Sequence, residues 1–320
     1  MIKQNRRQTR DSSLSYFINQ LDNLDKTLYE PLVSVTWSRD IKLRSGITMS
    51  NESTSFIRST FAAAGSLNNV GNMPWISAET SAIPGVSVNG QRIVLPLRLL
   101  AREVSYTSVE LERSQLTGQP IDVQKIAAFN TLYQMNTDQM VYIGSSDVGA
   151  TGLINDAGIT SGTVATGAGG STLWANKTPD EILADVNTLL TNTWLASAYA
   201  VCPGSLLVPP AQFSLLCSQK VSSAGNVSVL KFLQENSIAL SINGKQLDIQ
   251  PVKWLTGAGA GGLNRMVAYT NDEGRVRFPM VPVRRETAYY QGIRFTAPYL
   301  YAFGQIEFVY PETVQYADGI

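Results

Sequence analysis

The sequence contains no histidine. Imidazole is the one side chain whose unperturbed pKa places its charge change near neutrality, and it is the commonest metal ligand. Its absence excludes Ser-His-Asp and Cys-His catalysis and every histidine-held metal. Cysteine is nearly absent as well: Cys202 and Cys217 are the only two. With no other soft ligand nearby they cannot complete a zinc site. A disulfide between them is geometrically open, but a chain of 320 residues buries enough core not to need one, so two reduced, packed thiols are expected. Neither charge is in excess, with 25 basic and 25 acidic side chains, so no overall field draws the molecule onto nucleic acid. Long apolar runs are also missing. The longest apolar-looking stretch, Ile93–Ala101, is interrupted by Pro96 and Arg98 and is too short to span a bilayer. The opening "MIKQNRRQTR" is polar and basic, not a secretory signal, and a soluble cytoplasmic protein is expected.

What is present describes an ordered, lightly charged chain, 44% apolar and 16% charged, with room for one large or two medium domains. Lys3, Arg6, Arg7 and Arg10 stand together with no acid among them, which reads as an arm, disordered or lying against something anionic. Four charges give DNA only weak, salt-sensitive contact. Phe17, Leu21, Leu24 and Leu28 recur at helical spacing, predicting an amphipathic helix over 15–29 that Pro31 ends. "VSVTWSRDIKL" alternates and predicts a strand. Between Trp75 and Ser105 the pattern predicts a long two-stranded excursion with its turn near "PGVSVNGQ", where Asn89-Gly90 favours positive φ. Few large apolar residues sit near that tip, so such an arm either moves freely or lies on a neighbour.

The clearest helix follows, with Asp122 as N-cap and Ile121 and Ile126 as a hydrophobic staple. Ile126, Phe129, Tyr133 and Met140 share one face, which Leu132, Met135 and Tyr142 extend. Farther on, Thr178, Pro179 and Glu181 spell a capping box. Residues 205–285 read as mixed α/β, and "IRFTAPYLYAFGQIEFVYP" as aromatic strand.

Two features invite a catalytic reading. In "TGAGAGGLNR", Gly257, Gly259 and Gly262 fit G-x-G-x-x-G. A dinucleotide loop needs a helix after it, so that the helix N-terminus faces the phosphates. Here "RMVAYT" follows, a strand, and the run reads as a flexible connection. "TGAGGST" at 166–172 lacks the Lys-Ser/Thr of a phosphate loop. Asp180 and Glu181 are explained by capping, and Glu110 and Glu112 beside Arg113 read as a solvated or interface-facing cluster. No enzyme emerges, and no cofactor or metal site. A basic arm, a protruding hairpin, a long helix, an α/β insertion and an aromatic final sheet cannot all satisfy themselves within one subunit, which argues for an assembly.

This order of parts resembles the major capsid proteins of tailed bacteriophages, whose fold is shared with encapsulin shells and the herpesvirus capsid floor. The resemblance is carried by "YTSVELERSQLTGQPIDVQKIAAFNTLYQMNTDQMVYIGSSDVGATGLIN", with Gly118, the helix Asp122–Tyr142 and the G-L-x-N turn of Gly152, Leu153 and Asn155, and by "YEPLVSVTWSRDI" and "YPETVQYADGI" at the two ends. It covers nearly the whole chain. It implies an α+β fold with an N-terminal arm (1–35), a peripheral domain (36–74, 106–179 with a spine helix at 122–142, and 286–320), an extended loop (75–105) and an axial domain (180–285).

The resemblance further implies a structural protein that assembles as hexamers and pentamers into an icosahedral virion shell around double-stranded DNA, built in the host bacterial cytoplasm. An encapsulin-type compartment is the alternative. Partners would be further copies of itself, a separate scaffolding protein, since no scaffolding domain precedes the short arm, a portal and a decoration protein. Arg92, Arg98, Arg102 and Trp75 would meet neighbouring subunits, and Lys3, Arg6, Arg7 and Arg10 the inner face or DNA. Some relatives weld their shells by a Lys–Asn bond from the extended loop. This chain has no lysine between Lys42 and Lys125, so no such weld is expected.

Overall fold

The computed structural model describes residues 32–63, 86–117, 121–222 and 225–320. The predicted helix over 15–29, Trp75 and the basic residues Lys3, Arg6, Arg7 and Arg10 lie outside them. The chain separates into two compact units: Met1–Ser34, Glu103–Leu132 and Thr287–Ala297 in one; Val35–Arg102, Tyr133–Glu286 and Pro298–Ile320 in the other.

The strand predicted over 33–43 is instead a single helical turn, α1 (Trp37–Asp40), followed by a two-residue strand at Lys42–Leu43. The cause is distant in sequence. Asp138 accepts the backbone N–H of Thr36 at 2.9 Å and of Trp37 at 3.1 Å, so a carboxylate satisfies the free amides at the start of the turn. Alternation could not reveal that partner.

Strands β1 (Ser53–Ala63) and β2 (Val86–Thr107) form the long hairpin, in register from Ser53 opposite Pro96 to Ala63 opposite Val86. The turn predicted at Asn89-Gly90 is not there: both residues lie inside the ladder, opposite Thr60 and Ser59. Gly90 supplies room rather than positive φ, because a Cβ on it would stand 3.3 Å from Ile57 Cγ2.

Helices α2 (Ser108–Thr117) and α3 (Ile121–Tyr142) follow. Thr107 and Glu110 cap α2 reciprocally: the Glu110 carboxylate accepts the Thr107 N–H at 2.9 Å, and Thr107 Oγ1 accepts the Glu110 N–H at 3.1 Å. Helix α3 starts at Ile121, so Asp122 sits in its first turn rather than before it. Of the residues expected on one face, Phe129, Tyr133, Met140 and Tyr142 are buried, but Ile126, Leu132 and Met135 are exposed. The buried stripe passes through Thr137 and Asp138 instead. After α3 the G-L-x-N turn folds back on the helix end, where Leu153 N–H reaches Val141 O at 2.8 Å and Ile154 N–H reaches Tyr142 O at 3.2 Å.

The larger unit contains a five-stranded sheet. Its strands are β3 (Ser161–Thr163), β4 (Ser205–Val208), β5 (Asp248–Pro251) and β6 (Arg265–Tyr269), with a C-terminal member introduced below. Between β3 and β4 runs α4 (Pro179–Ala196), opened by the predicted box: Thr178 and Glu181 cap each other and Pro179 takes the first position. Helices α5 (Pro210–Ser218), α6 (Val229–Asn236) and α7 (Ile238–Asn243) lie between β4 and β5. Farther along the chain come β7 (Met280–Arg285), β8 (Tyr289–Gln291), which belongs to the smaller unit, β9 (Arg294–Gly304), which starts there, and β10 (Val314–Asp318).

The sheet order is β5-β4-β6-β10-β3. Trp174, Ile182, Val186 and Leu190 pack against Leu206, Val208, Ile249, Met266 and Ala268, with Leu216 and Leu233 closing the cluster. Each large apolar side chain buried there contributes about 1.5–3 kcal/mol. The sheet joins β3 and β10, from segments assigned to a peripheral domain, to strands of the expected axial segment 180–285. A second sheet places β9 between β7 and β2, with β1 beyond β2.

Both cysteines are free, Cys202 buried and Cys217 exposed, so only one of the two thiols is packed.

Candidate functional site

The glycine run does join two strands, β5 and β6, as its flanks require. It is tied down rather than flexible. Gly257 N–H donates to Asn264 Oδ1 at 3.0 Å, Gly259 N–H to Leu263 O at 2.7 Å, and Ala260 N–H to Asp318 Oδ2 at 3.0 Å. Gly257, Gly261 and Gly262 have φ of 69°, 68° and 77°, and a Cβ on Gly259 would lie 2.9 Å from the Asp318 carboxylate. Asp318 in turn holds Arg265 through two contacts of 2.6 and 2.9 Å, and Arg265 reaches Ile154 O at 2.6 Å while lying over the Tyr316 ring. The glycines serve a structural clamp on the G-L-x-N turn.

Every buried carboxylate among the described residues has charged or hydrogen-bonding partners. Asp40 takes the Arg39 guanidinium at 2.6 and 2.8 Å and the Tyr142 hydroxyl. Asp138 adds Trp254 Nε1–H at 2.7 Å and Lys253 Nζ at 3.3 Å to its two backbone donors. Glu307 lies between Arg44 and Arg277 at 2.5 and 2.6 Å, and Asp185 takes Lys177 Nζ at 2.5 Å and Trp174 Nε1–H at 3.0 Å. Burial pushes the Tyr142, Tyr269 and Tyr316 hydroxyls far above the usual range, with the Asp40 charge adding to the first two. Glu110 and Glu181 are held below the ordinary carboxylate value by backbone N–H groups, from Thr107 and from Ala168 and Thr178 respectively. Glu110 is thus a helix cap with Lys125 at 3.3 Å, its side chain still open to solvent. Among the described residues no group of carboxylates or thiols converges on a metal position, and no helix is long and apolar enough to cross a membrane.

What the larger unit does present is the outer face of the β1–β2 hairpin. Cross-strand partners share a face, so Ser53, Ser55, Ile57 and Ser59 lie with Pro96, Val94, Arg92 and Gly90. Ile57 is 71% exposed and Val94 51%. Arg92 and Arg98 stand on the same face by the period of two, and both are exposed. Among the described residues Arg92 reaches Ser55 Oγ, at 3.2 Å. Arg98 and Arg102 are exposed with no ion pair among the described residues. The opposite face is docked, since Leu97 is buried and Arg58 donates to the carbonyls of Phe308 and Val309 at 3.0 and 3.3 Å. Among the described residues the hairpin is docked on one side at Leu97 and Arg58, while the other side carries exposed apolar residues and cations interleaved. Trp75 and the four basic N-terminal residues cannot be placed on this surface, being outside the described residues.

The residue that sequence reasoning missed is Asp138. Its signal was available: an acid falling on the inner stripe of an otherwise apolar-faced helix, next to Thr137 and between Tyr133 and Met140. Such a residue must meet buried donors.

The family model for major capsid protein matches residues 71–320. No curated protein matches the sequence. Among solved structures the chain is similar to the capsid of Myoviridae phage XM1, with 15% identity, a TM-score of 0.75, and coverage of 94% of this chain and 98% of that one. It is also similar to the capsid of an empty GTA particle (13% identity, TM-score 0.60, 93% and 94% covered) and to a virus-like particle from Pyrococcus furiosus (15%, 0.52, 88% and 91%).

Proposed function

Because the chain belongs to the major capsid protein family, we propose that it tiles an icosahedral phage shell, as hexamers and pentamers, around double-stranded DNA. The role is structural rather than catalytic. The observation that carries the reading is the hairpin: two long strands whose inner face is docked on the subunit and whose outer face offers Ile57, Val94, Arg92 and Arg98 to whatever comes next. A surface of this kind suits a second copy of the chain, and a closed shell multiplies each modest contact many times.

In this reading the hairpin is the extended loop lapping a neighbour. Arg92, Arg98 and Arg102 meet acidic groups there, with Trp75 nearby, and the arm carrying Lys3, Arg6, Arg7 and Arg10 lies on the inner side near DNA. The sheet bearing α4 to α7 forms the axial domain toward the five- and six-fold positions, and α3 is the spine of the peripheral one. A separate scaffolding protein, a portal and a decoration protein are the partners to look for, and assembly takes place in the host bacterial cytoplasm. No Lys–Asn weld forms, since the hairpin has no lysine to give. The likeness to the Pyrococcus furiosus particle keeps a compartment shell of the encapsulin type as a second reading.

Electron microscopy of the purified protein, alone and co-expressed with its neighbouring genes, tests the proposal. Closed shells or rings of five and six support it, and shells filled with DNA distinguish a virion from a compartment. Dispersed monomers under both conditions would sink it.

A further inference from the structure

Glu307 and Phe308 form the edge of a small three-stranded sheet, with Val276–Phe278 in the middle and Lys42–Leu43 on the far side. Strand pairing thus joins three distant parts of the chain into one base. Glu307 is fully buried in it and takes Arg44 at 2.5 Å and Arg277 at 2.6 Å. A carboxylate held between two guanidiniums has little freedom, and it orients the planar forks that meet it. The second arm of the Arg44 fork leaves the base and donates to Ser55 O on β1, at 3.1 Å. Three residues farther along β1, Arg58 answers in the opposite direction. Its Nη2 and Nε donate to the carbonyls of Phe308 and Val309, at 3.0 and 3.3 Å.

Among the described residues Arg58 makes these two bonds and no ion pair. An arginine placed for charge alone needs an anion. One whose fork spans two consecutive carbonyls fixes an orientation as well as a distance. The grips at Ser55 and Arg58 stand about 10 Å apart at the rise of a strand, and two separated grips resist rotation where one cannot. Leu97 seats the hairpin at its root, against Val281 and Ala302. Ser55 and Arg58, paired with Val94 and Gln91, lie beyond that root and act on the pitch of the hairpin.

We propose that Arg44, Arg58 and Glu307 form a brace that sets the direction in which the β1–β2 hairpin leaves the body of the larger unit. Glu307 acts through Arg44 as a positioning residue. The consequence for assembly rests on the shell reading above: a hairpin that laps a neighbour must leave every subunit at a reproducible angle, and the brace supplies it.

The test uses the purified, unassembled full chain with Cys217→Ser, which leaves only the buried Cys202. Val88→Cys on the hairpin and Thr191→Cys on α4, both exposed positions, carry nitroxide labels, and pulsed electron spin resonance reads the distance between them. With the natural arginines the distribution should be single and narrow. Arg58→Lys keeps the charge and the stem but cannot span both carbonyls, and it should widen the distribution about twofold. Arg44→Met should do the same, whereas Arg92→Met, which gives up one bond to Ser55 Oγ, should leave it unchanged. Unchanged widths in Arg58→Lys and Arg44→Met overturn the brace, and so does equal widening by Arg92→Met. If Arg44→Met fails to fold because Glu307 keeps only one cation, Arg58→Lys decides. Electron microscopy of assembled material gives the second reading, in which Arg58→Lys should yield shells of several diameters where the natural chain yields one. Shells of one unchanged diameter from a chain whose distances have widened would overturn the positioning role. A natural chain that forms no shells would defeat the shell reading instead, while the distances still judge the brace.

Discussion

Gly152 meets the carbonyl of Tyr142 so closely that a Cβ on it would lie 2.2 Å from the oxygen. Glycine is required there by the backbone's approach to the end of α3, since Gly152 is not among the glycines with positive φ. Gly152→Ala should therefore cost about 3 kcal/mol, the upper range of overpacking. Gly149 provides the contrast, with φ of 65° and nothing within 4 Å. Gly149→Ala should cost only about 1 kcal/mol, the left-handed penalty. Urea unfolding of the unassembled chain reads both, and equal losses would show that crowding does not fix Gly152.

The ion pair between Lys177 and Asp185 is almost wholly buried and is shared with Ala165 O, at 2.6 Å, and the Trp174 indole. Removing one partner strands the other charge in the core. Lys177→Met or Asp185→Leu alone should each destabilise by about 3–5 kcal/mol, whereas the double variant should lose much less than their sum. An additive double variant would mean that the pair is not coupled.

The Glu181 carboxylate is held below its ordinary value of 4.5 by the N–H groups of Ala168 and Thr178. A group with a depressed folded pKa stabilises fully above its unfolded pKa and loses that contribution as pH falls through the folded value. The melting-temperature difference between the natural chain and Glu181→Gln should accordingly be constant from neutrality to about pH 5 and shrink below 4.5. A difference independent of pH would show that the charge on Glu181 contributes nothing.

Thiol labelling separates the two cysteines. Burial pushes the Cys202 thiol upward, while Cys217 is exposed on α5. One equivalent of maleimide should react quickly with the native chain, at Cys217, and the second only on unfolding. Rapid uptake of two would contradict the placement of Cys202 in the core.

Local signals carried much of this fold. The box at Thr178 and Glu181, the long helix after Asp122 and the strand nature of "RMVAY" were written in spacing and capping chemistry that acts within a few residues. Three readings failed because a distant residue decided the outcome. Trp37–Asp40 is helical because Asp138 meets its amides, Asn89-Gly90 is strand because β1 pairs across it, and the glycine run is fixed because Asp318 lies against Gly259. The candidate site divided the same way. Arg92 and Arg98 were singled out only through the resemblance, and that they share the face opposite the docked Arg58 depended on the pairing of β1 with β2 and on Arg58 reaching Phe308 and Val309.

That free face gives the most discriminating experiment on assembly. Ile57 and Arg98 are exposed on the subunit, so Ile57→Asp and Arg98→Glu should each change its stability by no more than about 0.5 kcal/mol. If the hairpin laps a neighbour, the same substitutions bury an uncompensated charge at every repeat of the contact, and a closed shell repeats it in every subunit. Shell yield by sedimentation should therefore collapse while the melting temperature of the unassembled chain stays where it was. Restoration by an acid-to-base change on a facing residue would identify the partner surface. Undiminished yield from both variants would show that the outer face of the hairpin is not a subunit contact.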